Sequence, residues 1–228
     1  MSAEKKKVNS ILSFIIDGIL SGFTLGVGGM VSLSSDNKYI GAFLFALGLF
    51  TIVQFRYGLF TGKVGYIPNR DPKYVIEVLF TLVSNAAGTL LAAVLLRQTR
   101  FFTSYVGGMD VTLQERVSNT VEAKIHDSIP SIFILSIFCG MLMFIAVEAN
   151  RQCRAKGNFA GALFGVVFPV VVFIVCGFNH CVADMFYYFF SGCPDVSDGV
   201  VYFIFAITGN ALGGMFIPLM KKLSNLPL

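Results

Sequence analysis

The sequence predicts an all-α membrane protein with six transmembrane helices, and three observations support this fold class. Its 228 residues are 55% hydrophobic and only 13% charged, and their mean hydropathy of +0.75 exceeds that of an ordinary soluble domain. Six separate apolar stretches each come close to the roughly 20 residues that a helix needs to cross a bilayer. Charged residues gather between these stretches. We therefore expect a single transmembrane domain over residues 1–228, embedded in lipid.

The six predicted spans follow one another with connections of unequal length. Asp36, Asn37 and Lys38 separate the first two, residues 68–73 the second from the third, and residues 194–198 the last two. The connection over residues 97–127 is too long and polar for a tight turn, so we expect it to contain a surface helix. The spans are residues 11–33, 39–60, 75–96, 129–150, 159–178 and 200–220.

Lysine and arginine favour one side of the predicted bundle. Most of the 17, beginning with Lys5, Lys6 and Lys7, fall on the side of the N-terminus. Because cytoplasmic loops carry the excess of positive charge, both termini are predicted on the cytoplasmic face of the inner (plasma) membrane. Arg56, inside the second span, is expected to reach toward that interface. Charges placed in this way do not indicate a nucleic-acid partner. The opposite side has Lys38, Arg97, Arg100, Arg116 and Lys124.

The two halves of the chain resemble each other weakly. Asn85-Ala-Ala-Gly-Thr89 in the third span recurs as Asn210-Ala-Leu-Gly-Gly214 in the sixth, and Ile19-Leu-Ser21 in the first recurs as Ile134-Leu-Ser136 in the fourth. The copies lie three spans apart, so the second half must enter the membrane from the opposite side. The sequence therefore predicts an inverted three-plus-three repeat.

The second and fifth spans are predicted to be interrupted at matching positions. Glycines flank polar groups over residues 57–65, and residues 176–184 place Asn179 and His180 after a glycine. Broken backbone at membrane depth is tolerated only beside protein or water, and in inverted repeats such a pair marks a pathway. His180 needs a polar partner there and can hold or pass a proton, unless it serves packing alone. Thr61, at the matching break, is the predicted partner.

Three segments, Leu59-Phe60-Thr61-Gly62, residues 177–186 and Gly209-Asn210-Ala-Leu-Gly-Gly214, resemble signature motifs of the formate/nitrite transporter family. The match runs in order over nearly the whole chain. The resemblance implies an aquaporin-like bundle of six helices with interrupted second and fifth helices, a pore within each protomer, and a homopentamer.

The same resemblance implies roles for individual residues. His180 is similar to the central pore histidine of the family, and Thr61 to the threonine that contacts it. Lys124 matches the spacing of a vestibule lysine, although an ordinary solvated charge is the alternative. Asn85 and Asn210 match pore-side asparagines. The residues that fall where the family has gates or apolar constrictions are Leu59, Phe60, Phe45, Leu49, Met143 and Phe173.

Three positions depart from the family pattern. Asn179 stands where glutamate commonly precedes the histidine, Gly140 where many members have asparagine, and Asp184 where asparagine is frequent. The departures leave the family assignment in place, but they put the choice of anion in doubt.

These features predict a channel or carrier for small monovalent anions. Formate is the best guess, with nitrite, hydrosulfide and short monocarboxylates as alternatives. A bare anion in a narrow apolar passage faces a large desolvation penalty, so we expect it to cross with a proton as the neutral acid. The proton is expected to come from bulk solvent or from His180.

The sequence agrees less well with a channel for neutral solutes or ammonium, or with an enzyme. A water or glycerol channel would need paired Asn-Pro-Ala segments, which the sequence lacks, and an ammonium channel is a further alternative. An intramembrane enzyme is not expected, because His126 and His180 are the only histidines and no Gly-x-Ser-x-Gly turn occurs. The five cysteines form no Cys-x-x-Cys pair, so we expect neither a metal nor another cofactor.

Overall fold

The fold is known from a computed structural model, which describes residues 3–108 and 110–224, with side chains from residue 12 onward. The lysines predicted at the inner side of the N-terminus, Lys5, Lys6 and Lys7, have side chains outside the described part. A 3₁₀ helix covers Val64–Asn69. The α-helices are α1 (Ala3–Ser34), α2 (Lys38–Phe55), α3 (Phe60–Lys63), α4 (Tyr74–Arg97), α5 (Leu113–Ile125), α6 (Ile129–Ala155), α7 (Phe159–Cys176), α8 (Cys181–Ser191) and α9 (Val196–Leu223).

Six of these helices are long and apolar enough to cross a membrane, which confirms the predicted number of spans: α1, from Leu12, α2, α4, α6, α7 and α9. The protein is therefore a multi-pass membrane protein. Large apolar side chains such as Phe43, Phe80 and Phe168 are exposed on the outside of the bundle, where lipid would cover them. The surface helix predicted in the long connection is α5, whose N-terminus is closed by reciprocal hydrogen bonds between Thr112 and Glu115.

The halves of the bundle are related as an inverted repeat, with α1, α2 and α4 corresponding to α6, α7 and α9. Asn85 on α4 donates to Gly18 O of α1, and Asn210 on α9 donates to Ser136 O of α6. These bonds confirm the predicted match between the third and sixth spans. They also show that the other predicted match was wrong. Gly18 corresponds to Ser136, because their carbonyl oxygens accept from the two equivalent asparagines. Ile19-Leu-Ser21 is therefore equivalent to residues 137–139, about one helical turn beyond the predicted copy, Ile134-Leu-Ser136.

Both predicted interruptions are present and have the same backbone geometry. After α2, Arg56 takes a left-handed conformation (φ 61°) and the chain runs extended to Leu59. After α7, Gly177 is left-handed (φ 71°) and the chain runs extended to His180. The breaks are shorter than predicted, because the chain is already helical from Phe60 and from Cys181 onward. The second span accordingly ends at Phe55 rather than at residue 60.

Ser21 has an unsatisfied hydroxyl inside α1. The side chain is fully buried, and its oxygen has no hydrogen-bond partner among the described residues. Such a group costs about 1–3 kcal/mol, so Ser21→Ala is expected to stabilise the fold by about 1 kcal/mol and to raise the midpoint of thermal unfolding in detergent. Ser136→Ala is the matched control, because that hydroxyl donates to Ile132 O at 2.6 Å. An equal gain in both variants would contradict the interpretation.

Candidate functional site

His180 and Thr61 meet where the two breaks approach each other. Their Nε2 and Oγ1 atoms are 3.1 Å apart, and both side chains are almost completely buried. His180 is the N-terminal capping residue of α8, while Thr61 lies in the short helix α3. The residues predicted to be partners are therefore within hydrogen-bond distance, although 119 positions separate them in sequence.

The capping role of His180 determines which of its ring nitrogens carries the hydrogen. Nδ1 lies 3.1 Å from the backbone nitrogen of Ala183. A backbone N–H can only donate, so Nδ1 accepts and the neutral ring carries its hydrogen on Nε2. That hydrogen is donated to Thr61 Oγ1, which leaves the threonine hydroxyl free to donate in turn. A second proton on the ring would occupy Nδ1 and break the cap of α8.

Asn85 clamps the first break. Its Oδ1 accepts from the backbone nitrogen of Phe60 at 2.8 Å, and its Nδ2 donates to Gly58 O at 2.7 Å and to Gly18 O at 2.9 Å. One amide thus connects the extended strand of the break, the start of α3 and the neighbouring helix α1. The bonds satisfy backbone groups that lipid could not.

Asn210 clamps the second break with the equivalent set of bonds. Its Oδ1 accepts from the backbone nitrogen of Cys181 at 2.8 Å, and its Nδ2 donates to Asn179 O and to Ser136 O, both at 2.8 Å. Both asparagines are fully buried and use both N–H groups on backbone oxygens. We therefore interpret them as residues that hold the breaks, whereas the family resemblance implied pore-side contacts.

Lys124 lies at the C-terminal end of α5 and reaches the second break. Its Nζ is 2.8 Å from Asn179 Oδ1 and 3.3 Å from Asp184 Oδ1. The other oxygen of Asp184 accepts from the hydroxyl of Tyr202 at 2.6 Å. The family resemblance implied a vestibule lysine, with an ordinary solvated charge as the alternative; in the structure Lys124 forms an ion pair with Asp184. Sequence reasoning missed both the pairing with Asp184 and the role of Tyr202.

The aromatic ring of Phe173 lies next to His180. Phe173 has its ring centroid 5.6 Å from the imidazole and 5.5 Å from the ring of Phe45, in an edge-to-face arrangement. These contacts place Phe173 beside the histidine and Phe45 behind it, against Phe173. All six side chains named as gates or constrictions are at most 2% exposed: Leu59, Phe60, Phe45, Leu49, Met143 and Phe173.

A vestibule of about 940 Å³ opens beside the first break, with Leu59 and Gly62 in its wall. No aspartate or glutamate is among the described residues that line it. Arg56, the residue that ends α2, belongs to this wall. Sequence reasoning assigned most of these cations to one side but did not predict a shared cavity. The basic lining residues are Arg56, Lys63, Arg70, Arg151 and Arg154.

Comparisons with known proteins agree with this architecture. An uncharacterized transporter of Bacillus subtilis is 24% identical over 94% of this chain and 85% of that protein. A formate channel of Bacillus thuringiensis is 25% identical over 94% of this chain and 87% of its own length. The solved structure of a pentameric formate channel with formate bound has the same fold, with a TM-score of 0.79, 21% identity, and 99% of this chain and 100% of that one covered. The formate/nitrite transporter model matches residues 1–222, and the protein therefore belongs to the formate/nitrite transporter family.

Proposed function

We propose that this protein is a channel for small monovalent anions, with formate as the best candidate, and that the anion crosses together with a proton. The observation that carries the proposal is the hydrogen bond between His180 and Thr61, which joins the two breaks at the centre of the inverted repeat. A formate channel among the relatives supports the choice of formate. Residues 1–228 then form one transport domain.

The basic vestibule would collect anions at one mouth. Arg151 is paired with Glu148, but the other four cationic side chains of the lining have no carboxylate beside them among the described residues of the wall. This excess of positive charge raises the local concentration of anions and lowers that of cations. The same charge disfavours an ammonium channel. A water or glycerol channel is disfavoured because both N–H groups of Asn85 and of Asn210 are already bound to backbone oxygens and cannot orient a neutral solute.

Between the mouths, the apolar side chains favour the neutral acid over the bare anion. Phe173, beside His180, and Phe45, packed against Phe173, provide little solvation, and a low dielectric raises the pKa of the entering acid. His180 offers a hydrogen on Nε2 but no free site for another, so the proton is taken from bulk solvent. The Thr61 hydroxyl then donates to the passing carboxyl group.

The resemblance to a pentameric channel supports a homopentamer with one pathway in each protomer. The vestibule cations support a location in the inner membrane of the cell, with the vestibule and both termini on the cytoplasmic side. Native mass spectrometry of the detergent-solubilised protein should give five copies. A monomer that transports at the full rate would exclude a required pentamer.

The test of function uses purified protein in liposomes with a panel of weak acids, glycerol and methylammonium. We expect formate uptake to rise about tenfold when an inward proton gradient of one pH unit is imposed, because the concentration of neutral acid scales with that of protons. Glycerol and methylammonium should enter at the rate of empty liposomes. Formate flux that is purely electrogenic and indifferent to the proton gradient would refute the proposed passage with a proton.

A further inference from the structure

The ammonium group of Lys124 is fully occupied by acceptors from the second break. Lysine has three N–H donors. Three oxygens lie within reach of Nζ: Asn179 Oδ1 at 2.8 Å, Asp184 Oδ1 at 3.3 Å and, more weakly, Phe178 O at 3.5 Å. The residues before and after His180 therefore wrap around this one cation. A passing anion has to compete with these acceptors for Lys124.

Asp184 is the one charged acceptor of the three. Its side chain is 5% exposed, against 18% for that of Lys124, so the carboxylate is the more buried member of the pair. Tyr202, also buried, donates to its second oxygen at 2.6 Å. A buried carboxylate is retained only when it is paired and hydrogen-bonded, and both conditions hold here.

Asn179 contributes no charge to this arrangement. Its orientation is fixed, because Oδ1 faces the ammonium group and Nδ2 donates to Ile132 O at 3.3 Å. The side chain next to His180 is therefore neutral, and the negative charge that balances Lys124 lies one helical turn further along α8.

We propose that Asp184 is a positioning residue that sets the strength of the Lys124 field at this end of the pathway. This inference rests on the passage of anions proposed above. The Asp184 carboxylate competes with an entering anion for the ammonium group, and Tyr202 moderates that competition by donating to the carboxylate. The affinity for anions at the Lys124 end of the pathway is thus set by Asp184, a residue that does not itself touch the solute.

The test is a set of four proteins in liposomes: the unchanged protein, Asp184→Asn, Lys124→Met and the double variant. Asp184→Asn leaves Lys124 uncompensated, so the KM for formate should fall about three- to tenfold. Lys124→Met leaves an unpaired buried carboxylate, and flux should fall about tenfold or more. The flux of the double variant should be at least about threefold higher than that of Lys124→Met, because the double variant no longer contains the unpaired carboxylate.

Tyr202→Phe provides a second variant that keeps the aromatic packing. It removes the O–H donor and leaves the carboxylate free to bind Lys124 more strongly, so KM should rise, in the direction opposite to Asp184→Asn. A double variant no better than Lys124→Met, or a rise of KM in both Asp184→Asn and Tyr202→Phe, would overturn the proposal. Glu122→Gln is the matched control: it removes one exposed negative charge from α5, the helix of Lys124, and should leave KM unchanged.

Thermal unfolding separates this inference from the proposed function. In detergent, Asp184→Asn and Lys124→Met should each lower the unfolding temperature. The sum of these two decreases should exceed the decrease in the double variant, because the two charges are coupled. If the unchanged protein carries no weak acid, the proposed function fails, while the unfolding temperatures still decide whether the pair exists. Additive losses would overturn the pairing whatever the transport result.

Discussion

Gly213→Ala is expected to destabilise the fold by about 3 kcal/mol or more and to abolish monodisperse protein after purification. A Cβ added at Gly213 on α9 would lie against the backbone oxygen of Ile137 on α6, well inside van der Waals contact. The obstacle is backbone, so no rotamer change can relieve it, and the two helices would have to separate. Thermal unfolding in detergent and size-exclusion chromatography measure the effect.

Gly88→Ala should have an effect of similar size, because Gly88 on α4 meets the backbone oxygen of Ile19 on α1 in the other half of the repeat. Gly107→Ala is the control, since an added Cβ there has no atom within 4 Å. If Gly213→Ala unfolds at the same temperature as Gly107→Ala, α6 and α9 are not in the contact described. A large effect at Gly213 with none at Gly88 would contradict the repeat.

Much of the fold follows from the sequence, because hydropathy and length alone determine which segments can cross a bilayer. The match between Asn85 and Asn210 was informative because each asparagine has a specific task at a break. The match of Ile19-Leu-Ser21 was out of register, since short apolar segments recur without a structural reason. Break lengths were also overestimated, because the chain becomes helical again at Phe60 and at Cys181, within segments whose glycines and polar residues predicted irregular backbone.

The part of the candidate site that lies at the two breaks could be predicted from the sequence, whereas the ion pair of Lys124 and the basic vestibule could not. His180 and Thr61 could be paired because matching breaks of an inverted repeat meet near its centre. Nothing in the sequence pairs Lys124 with Asp184, because α5 and α8 are separate elements whose packing is decided by the tertiary fold. The shared vestibule was missed for the same reason, since its cations come from three parts of the chain.

His180→Asn is expected to fold normally while its formate flux falls at least about tenfold. Asparagine is a good N-terminal cap, so its Oδ1 can replace Nδ1 as the acceptor for Ala183 and α8 should stay in place. Its shorter side chain cannot reach Thr61, so the hydrogen bond between the two breaks is lost. His180→Ala removes both interactions and should lower both flux and unfolding temperature. Flux in liposomes and unfolding in detergent together separate the capping role from the role in transport.

Thr61 tests the same hydrogen bond from the other side. Thr61→Val has nearly the same shape but no hydroxyl, which leaves the Nε2 hydrogen of His180 buried without an acceptor, at a cost of about 1–3 kcal/mol. Flux should fall about tenfold or more, and Thr61→Ser, which restores the hydroxyl, should recover it. Equal flux in the valine and serine variants would show that the hydroxyl does not act on the passing acid. Because His180 takes no second proton in this arrangement, the pH dependence of the remaining flux should follow the concentration of neutral formic acid in every variant.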